Sequence, residues 1–323
     1  MNRFIALSTL LAVCGLSLAV AAVQQPDAPR VVEVDKLKDN LYVAKGGGGN
    51  SSIFITAAGV VVVDTKNPGW GQPLLDAIRK LTDKPVTTII NTHTHGDHVS
   101  GNVEFPVTVD IVAQENTAEN MKAMRPNSSA PPNAPAPNIF AQNNGKGLAK
   151  RTFKDRLTIG SGADRIDLYY FGRAHTNGDA VVYFPTHRVL HIADIFPGNE
   201  LPIMDANNGG TGLGYADTLT KALAFAEKNA DVIVNGHSAT TTTTDSRTVF
   251  VALIERSARR TRSRCAGWPS TSGPRPSNLR ESNAARIKGA NASMSGHMTM
   301  TSRGISVGSS VNNRASTSRI TST

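Results

Sequence analysis

The stretch Thr92-His93-Thr94-His95-Gly96-Asp97-His98-Val99-Ser100-Gly101-Asn102 sets three imidazoles and a carboxylate within six residues. It follows Val86-Thr87-Thr88-Ile89-Ile90-Asn91, an apolar β-branched run that reads as a buried strand. His93 and His95, two apart, point the same way from an extended backbone. Gly96 permits a sharp turn, which swings Asp97 and His98 to a second point nearby. Imidazole nitrogens and a carboxylate form the donor set that Zn²⁺ takes where no thiolate is offered. Three of the chain's eight histidines fall in this one run, so a polar loop with scattered histidines is the poorer reading.

Working outward, the pattern alternates. Val31-Val32-Glu33-Val34, Leu41-Tyr42-Val43 and Ile53-Phe54-Ile55 read as short strands, and Gly59 to Asp64 as a buried strand closed by a carboxylate. Gly46 to Gly49 resembles a phosphate-cradling loop only at first sight. A strand follows it, not a helix, and no Gly-Lys-Ser/Thr ending is present, so a hairpin turn with close backbone approach is the better reading. Residues 71–82 carry apolar positions at helical spacing, Val107 to Ala113 reads as a strand, and Glu115 to Met124 as a helix. Strands resume at Arg165 to Phe171, Ala180 to Phe184, Val189 to Ile192 and Ala230 to His237, with a helix over Tyr215 to Asn229. This alternation predicts a layered α/β domain. Residues 126–150, with five prolines, interrupt it. Two readings stand for that segment: a surface loop, or a lid with Ile139 and Phe140 as its apolar tip.

Three more residues of ligand type stand where strands give way to loops: His175, Asp194 and His237. With the first cluster they make seven such side chains at like positions on successive strands. The ordered set H-x-H-x-D-H, then His, Asp and His, resembles the metallo-β-lactamase superfamily over residues of about 31 to 244. That resemblance implies an αββα four-layer sandwich with a two-metal site at one edge. It implies that His93, His95 and His175 bind a first zinc, that Asp97, His98 and His237 bind a second, and that Asp194 bridges them. Asp64 would orient the histidine loop from behind the ligands. His187 and His191 match no family ligand and read as structural. Asp at position 194, where β-lactamases of this fold carry Cys or Ser, resembles the glyoxalase II and lactonase branch.

Such a site implies a hydrolase in which two zinc ions share a bridging hydroxide. Metal coordination brings the pKa of water from ~15.7 to about 7. Asp97 is then both ligand and catalytic group, and residues 23–244 contain no G-x-S-x-G element to supply a serine nucleophile. The expected substrate is a small molecule with an ester, thioester, lactone or β-lactam-like bond. A phosphodiesterase or nuclease, and a non-catalytic metal-binding module, are the alternatives.

The ends differ from the body. Residues 1–22 read as a secretory signal peptide: Arg3, then an apolar run from Phe4 to Val20, then a small-residue cleavage site at Ala21 or Ala22. Export to the periplasm or beyond is expected, with no membrane association after cleavage; lipid attachment at Cys14 is the lesser reading. Cys14 and Cys265 are the only cysteines, so no disulfide framework is expected within residues 23–244, the catalytic domain. The formal net charge is +9, but residues 245–323 hold 13 Lys and Arg against 3 Asp and Glu, while 1–244 hold 21 against 22. A neutral body argues against a nucleic-acid partner. The basic Ser/Thr/Arg-rich tail 245–323 is expected to be disordered or frameshifted, with a frameshift preferred over a tail for anionic surfaces.

Overall fold

The computed structural model describes residues 29–266 apart from 132, 135, 136 and 199; the expected signal peptide and residues 267–323 lie outside the described residues. Among the described residues, thirteen strands form two sheets. The first runs, in spatial and chain order, β1 (Glu33–Lys38), β2 (Leu41–Lys45), β3 (Ser51–Ile55), β4 (Val60–Val63), β5 (Val86–Asn91), β6 (Asp110–Gln114) and β7 (Arg151–Phe153). The second runs β13 (Thr241–Thr242), β12 (Val232–Asn235), β11 (Val189–Ala193), β10 (Ala180–Phe184), β9 (Ile166–Tyr170) and β8 (Arg156–Ile159). β1 to β4 pair antiparallel, β4 to β7 parallel, and β11 pairs parallel with β12.

Strand parity fixes the layers. Val61 and Val63 of β4 face the second sheet, in one apolar cluster with Leu168, Val182 and Val234. Val60 and Val62 face outward onto Leu74, Leu75 and Ile78 of helix α1 (Gly71–Arg79). A period of two places successive side chains on opposite faces, so an all-apolar run such as Val60–Val63 must be covered on both. The outer face of the second sheet packs under α5 (Gly212–Asn229) and α6 (Thr243–Ala266) through Leu219, Leu223, Phe250 and Leu253. The result is the expected αββα sandwich. Short helices α2 (Gly96–Val99), α3 (Glu115–Ala123) and α4 (Ile139–Gln142) sit on the first sheet's side of the chain order.

The boundary expected at Thr244 falls within the start of α6, and residues 245–266 of the basic segment continue that helix. Phe250 and Leu253 are buried there, at the short apolar run Val249–Ile254. Among the described residues, no helix is long and apolar enough to cross a membrane.

Candidate metal centre

Every residue of the centre leaves the carboxyl end of a strand or the loop after it. Asp64 follows β4, the His93–His98 run follows β5, His175 follows β9, Asp194 follows β11 and His237 follows β12. Strands of both sheets thus deliver side chains to one edge of the sandwich. The turns are tight: Asp64 has φ 61° and Ala193 φ 45°, left-handed values that non-glycine residues take where packing imposes them.

Donor atoms of His93, His95, His175 and Asp194 lie within 4.8 Å of one another, and so do those of Asp97, His98 and His237. Asp194 stands between the groups. Its Oδ2 is 3.6 Å from His175 Nε2 and 3.9 Å from His93 Nε2, while its Oδ1 is 3.4 Å from His98 Nε2. His237 Nε2 lies 3.2 Å from Asp194 and 3.4 Å from Asp97. All seven expected ligand-type residues are therefore brought together.

What lies behind the imidazoles decides which nitrogen faces inward. His98 Nδ1 donates to Asp64 Oδ2 at 2.7 Å, and His175 Nδ1 to the Ile203 carbonyl at 2.6 Å. Thr92 Oγ1 donates to Asp64 Oδ2, leaving its lone pair for His93 Nδ1–H at 3.0 Å. His95 is reversed: Nε2 donates to Asp205 Oδ2 at 2.7 Å, and Nδ1 faces His175. Four rings thus have the outer nitrogen held by protein and the inner nitrogen turned toward the cluster, the orientation a metal ligand needs. His93 Nε2 and Asp194 Oδ1 are buried without a hydrogen-bond partner, which is costly unless a cation receives them. The donor set fits a divalent metal.

Titration agrees with a tightly coupled cluster. Burial, then the neighbouring His98 charge, holds His93 well below the usual histidine range, and burial with His95 lowers His175. For His98 burial acts against the charge but is outweighed by Asp194, Asp97 and Asp64, which raise it well above that range. Asp194 is likewise buried, yet His98 and His237 hold it well below the usual carboxylate range.

Asp64 is fully buried and accepts from Thr92 N, Thr92 Oγ1 and His98 Nδ1, so it ties the start of the histidine loop to His98. His191 lies outside the cluster, bonded across the sheets to Ser52 Oγ at 2.8 Å, and burial lowers its pKa to about 4. His187 packs edge-on to Phe54. Neither joins the two donor groups.

The expected lid tip is a correction. Phe140 is buried against Val99, Val103 and Met121, with Ile139 partly buried beside it, and neither lines the cleft. Two adjacent apolar residues on a one-turn helix find a core close by, on α2 and α3, and bury there. The cleft, about 390 Å³, is walled by Asn127, Ser238, Pro197, Gly198 and the run Glu200 to Ile203. That loop carries no motif. Asp205 also escaped the sequence reading, since a lone Asp among Ala and Asn gives no signal of its partner 110 residues away.

A second device sits over the Asp97–His98 turn. Gly49 N donates to Asp97 O at 3.1 Å, Asn50 N to Gly236 O at 2.7 Å, and Asn50 Nδ2 to the carbonyls of Asn235 and Ser238. The β2–β3 turn therefore clasps together the loops that carry Asp97, His98 and His237. Its glycines are required by space: a Cβ on Gly49 would lie 2.1 Å from His98 Cε1, and one on Gly47 2.1 Å from the Trp70 ring. Beneath it the buried Lys66 Nζ donates to Ala44 O and Gly49 O.

A two-sheet sandwich with a histidine and aspartate cluster across one edge defines a metal-binding α/β fold shared by many hydrolases. A model of the Metallo-beta-lactamase superfamily matches residues 44–237, and the chain belongs to that superfamily. It is 28% identical over 221 residues to a metallo-beta-lactamase type 2 from Elizabethkingia meningoseptica, covering 64% of this chain and 78% of that protein. It is 32% identical over 145 residues to the 2,4-dinitroanisole O-demethylase subunit alpha of a Nocardioides strain, covering 43% of this chain and 39% of that one. A metallo-beta-lactamase structure from Pontibacter korlensis shares the fold, with TM-score 0.55 and 20% identity over 69% of this chain and 99% of that one. Membership and the clustered donors support a metal-dependent hydrolase.

Proposed function

We propose that the protein is a dinuclear zinc hydrolase acting on a small molecule with an ester, thioester, lactone or β-lactam-like bond. The observation that carries this reading is the pair of donor groups meeting at Asp194, with four histidines oriented for ligation by partners behind them. His93, His95 and His175 would hold one ion, Asp97, His98 and His237 the other, with Asp194 shared. When bound, zinc supplies water ionised near neutral pH and a Lewis acid for the scissile carbonyl. Asp97, its side chain 31% exposed, accepts a proton or a hydrogen bond from water in the cleft and so fixes the direction of attack. His237, 41% exposed, reaches the cleft from the opposite sheet. Pro197, Leu201, Pro202 and Ile203 would meet the substrate's apolar part.

The relatives' names span a lactam hydrolase and an ether demethylase, so the family leaves the bond open. The Asp at 194 supports the glyoxalase II and lactonase branch. A phosphodiesterase is less supported, because among the described lining residues no Lys or Arg is present to meet phosphate. The N-terminal sequence supports export as a periplasmic or secreted protein, and cell fractionation tests it.

Metal analysis of the purified protein is expected to find about two zinc ions per chain, with activity lost on chelation and restored by zinc. A content near one, or iron in place of zinc, overturns the assignment. Asp97→Asn is expected to keep the melting temperature and lose at least ~100-fold in kcat; turnover like wild type overturns the role of Asp97. A panel of nitrocefin, a lactone, a thioester and bis-p-nitrophenyl phosphate separates the bond classes, and no turnover of any leaves a binding module.

A further inference from the structure

The cleft divides into a floor and a rim of different character. The floor holds the donor side chains. Above it stand Pro197, Leu201, Pro202 and Ile203, the last 44% exposed although aliphatic. Contiguous apolar side chains left open beside a catalytic floor are a binding wall for an apolar group. The rim's formal charge comes from Glu200, which is exposed; among the described lining residues none is Lys or Arg. Arg173, which donates through Nε and Nη2 to Gly209 O, and Arg125, which donates to Asn120 Oδ1, do not line the cleft.

On the hydrolase reading above, we infer that this rim selects substrates whose part remote from the scissile bond is uncharged or cationic, and disfavours a carboxylate there. Glu200 is the specificity-determining charge. A cation bound at the floor attracts whatever lies next to the reacting carbonyl, whereas the remote group meets the rim and nothing else of opposite sign. Like charges about 6 Å apart, at a water-like dielectric of about 80, disfavour binding about threefold, so exchanging an anion for a cation there changes it about tenfold. Desolvating a carboxylate against the proline and leucine wall adds in the same direction. Uncharged esters and lactones are therefore favoured among the proposed bond classes.

Three aryl acetates that differ only in the para substituent, methyl, carboxymethyl or trimethylammoniomethyl, test this on the zinc-loaded full chain. Wild type is expected to give kcat/KM about tenfold higher for the cationic than for the anionic ester, with the gap shrinking as salt rises. Glu200→Gln should narrow that ratio and Glu200→Lys should invert it; both substitute an exposed residue, and unchanged melting temperatures confirm the fold. Equal kcat/KM for the three esters, or a ratio indifferent to Glu200→Lys, overturns the inference and leaves the hydrolase reading intact. Hydrolysis of none of them, with metal bound, overturns this inference, which favours uncharged esters; inactivity toward the whole earlier panel as well overturns the hydrolase reading.

Discussion

Lys66 shows how much a single buried residue can set. Its amine lies 2.7 Å from Ala44 O and 2.6 Å from Gly49 O, and burial lowers its pKa to about 7 against the pull of Asp64 and Asp97. The unfolded chain keeps that proton to a pKa of ~10.4, so between pH ~7 and ~10 the unfolded state binds more protons and stability rises with pH. Below pH ~7 both states are protonated and the slope vanishes. From pH 7 to pH 9 the expected gain is on the order of 2 kcal/mol, and Lys66→Met should lose it. Urea unfolding at both pH values, at fixed metal loading, measures the difference; equal slopes would return the amine to its ordinary pKa. Asp205 acts on the metal side. Burial opposes its charge, but the hydrogen bonds from His95 and Asn208 take its pKa down to about 2. Asp205→Asn removes the charge that fixes His95, and metal affinity is expected to fall about 10–100-fold. Competition with a chromophoric chelator reads this, and an unchanged affinity would mean that His95 needs no such support.

At the scale of elements, the clasp formed by the β2–β3 turn joins ligands from two sheets. Asn50→Ala removes the amide that spans Asn235 O and Ser238 O, while the first donor group stays behind its own partners. Metal titration of Asn50→Ala is therefore expected to show one tight site retained and the other weakened by at least ~10-fold; equal weakening of both would show a general loss of fold instead. The same scale shows what the sequence makes legible. The runs 86–91 and 180–184 appear at their expected bounds, because continuous apolar β-branched residues between polar turns have one stable use. β7 and β8 were not read, since Arg151-Thr152-Phe153 and Arg156-Leu157-Thr158-Ile159 are short and largely exposed, and their pairing comes from neighbours. The ligands were readable because metal chemistry restricts residue type. Asp205, Asn50 and the wall at 197–203 were not, because hydrogen-bond partners and cleft walls are defined only by the folded chain.

For the molecule as a whole, the centre depends on cover supplied from far along the chain. Phe250 of α6 is fully buried, and its ring centroid lies 4.1 Å from that of Phe196. Phe196 in turn is two residues past Asp194, where the cleft wall begins at Pro197. Leu253 and the apolar face of α5 complete the same cluster. The helix thus holds down the loop that positions the shared carboxylate, although the sequence around it is rich in Ser, Thr and Arg and shows only the short run Val249–Ile254. Phe250→Ala leaves a cavity in that cluster and is expected to destabilise the fold by about 3–5 kcal/mol. Because the cavity opens beside Phe196, metal affinity should fall as well, whereas Leu74→Ala in α1, packed on the far face of the other sheet, should cost ~2–5 kcal/mol in stability with no loss of affinity. Denaturant unfolding paired with metal titration of both variants separates the effects. If the two lose metal equally, the helix serves the sandwich in general and not the carboxylate at Asp194.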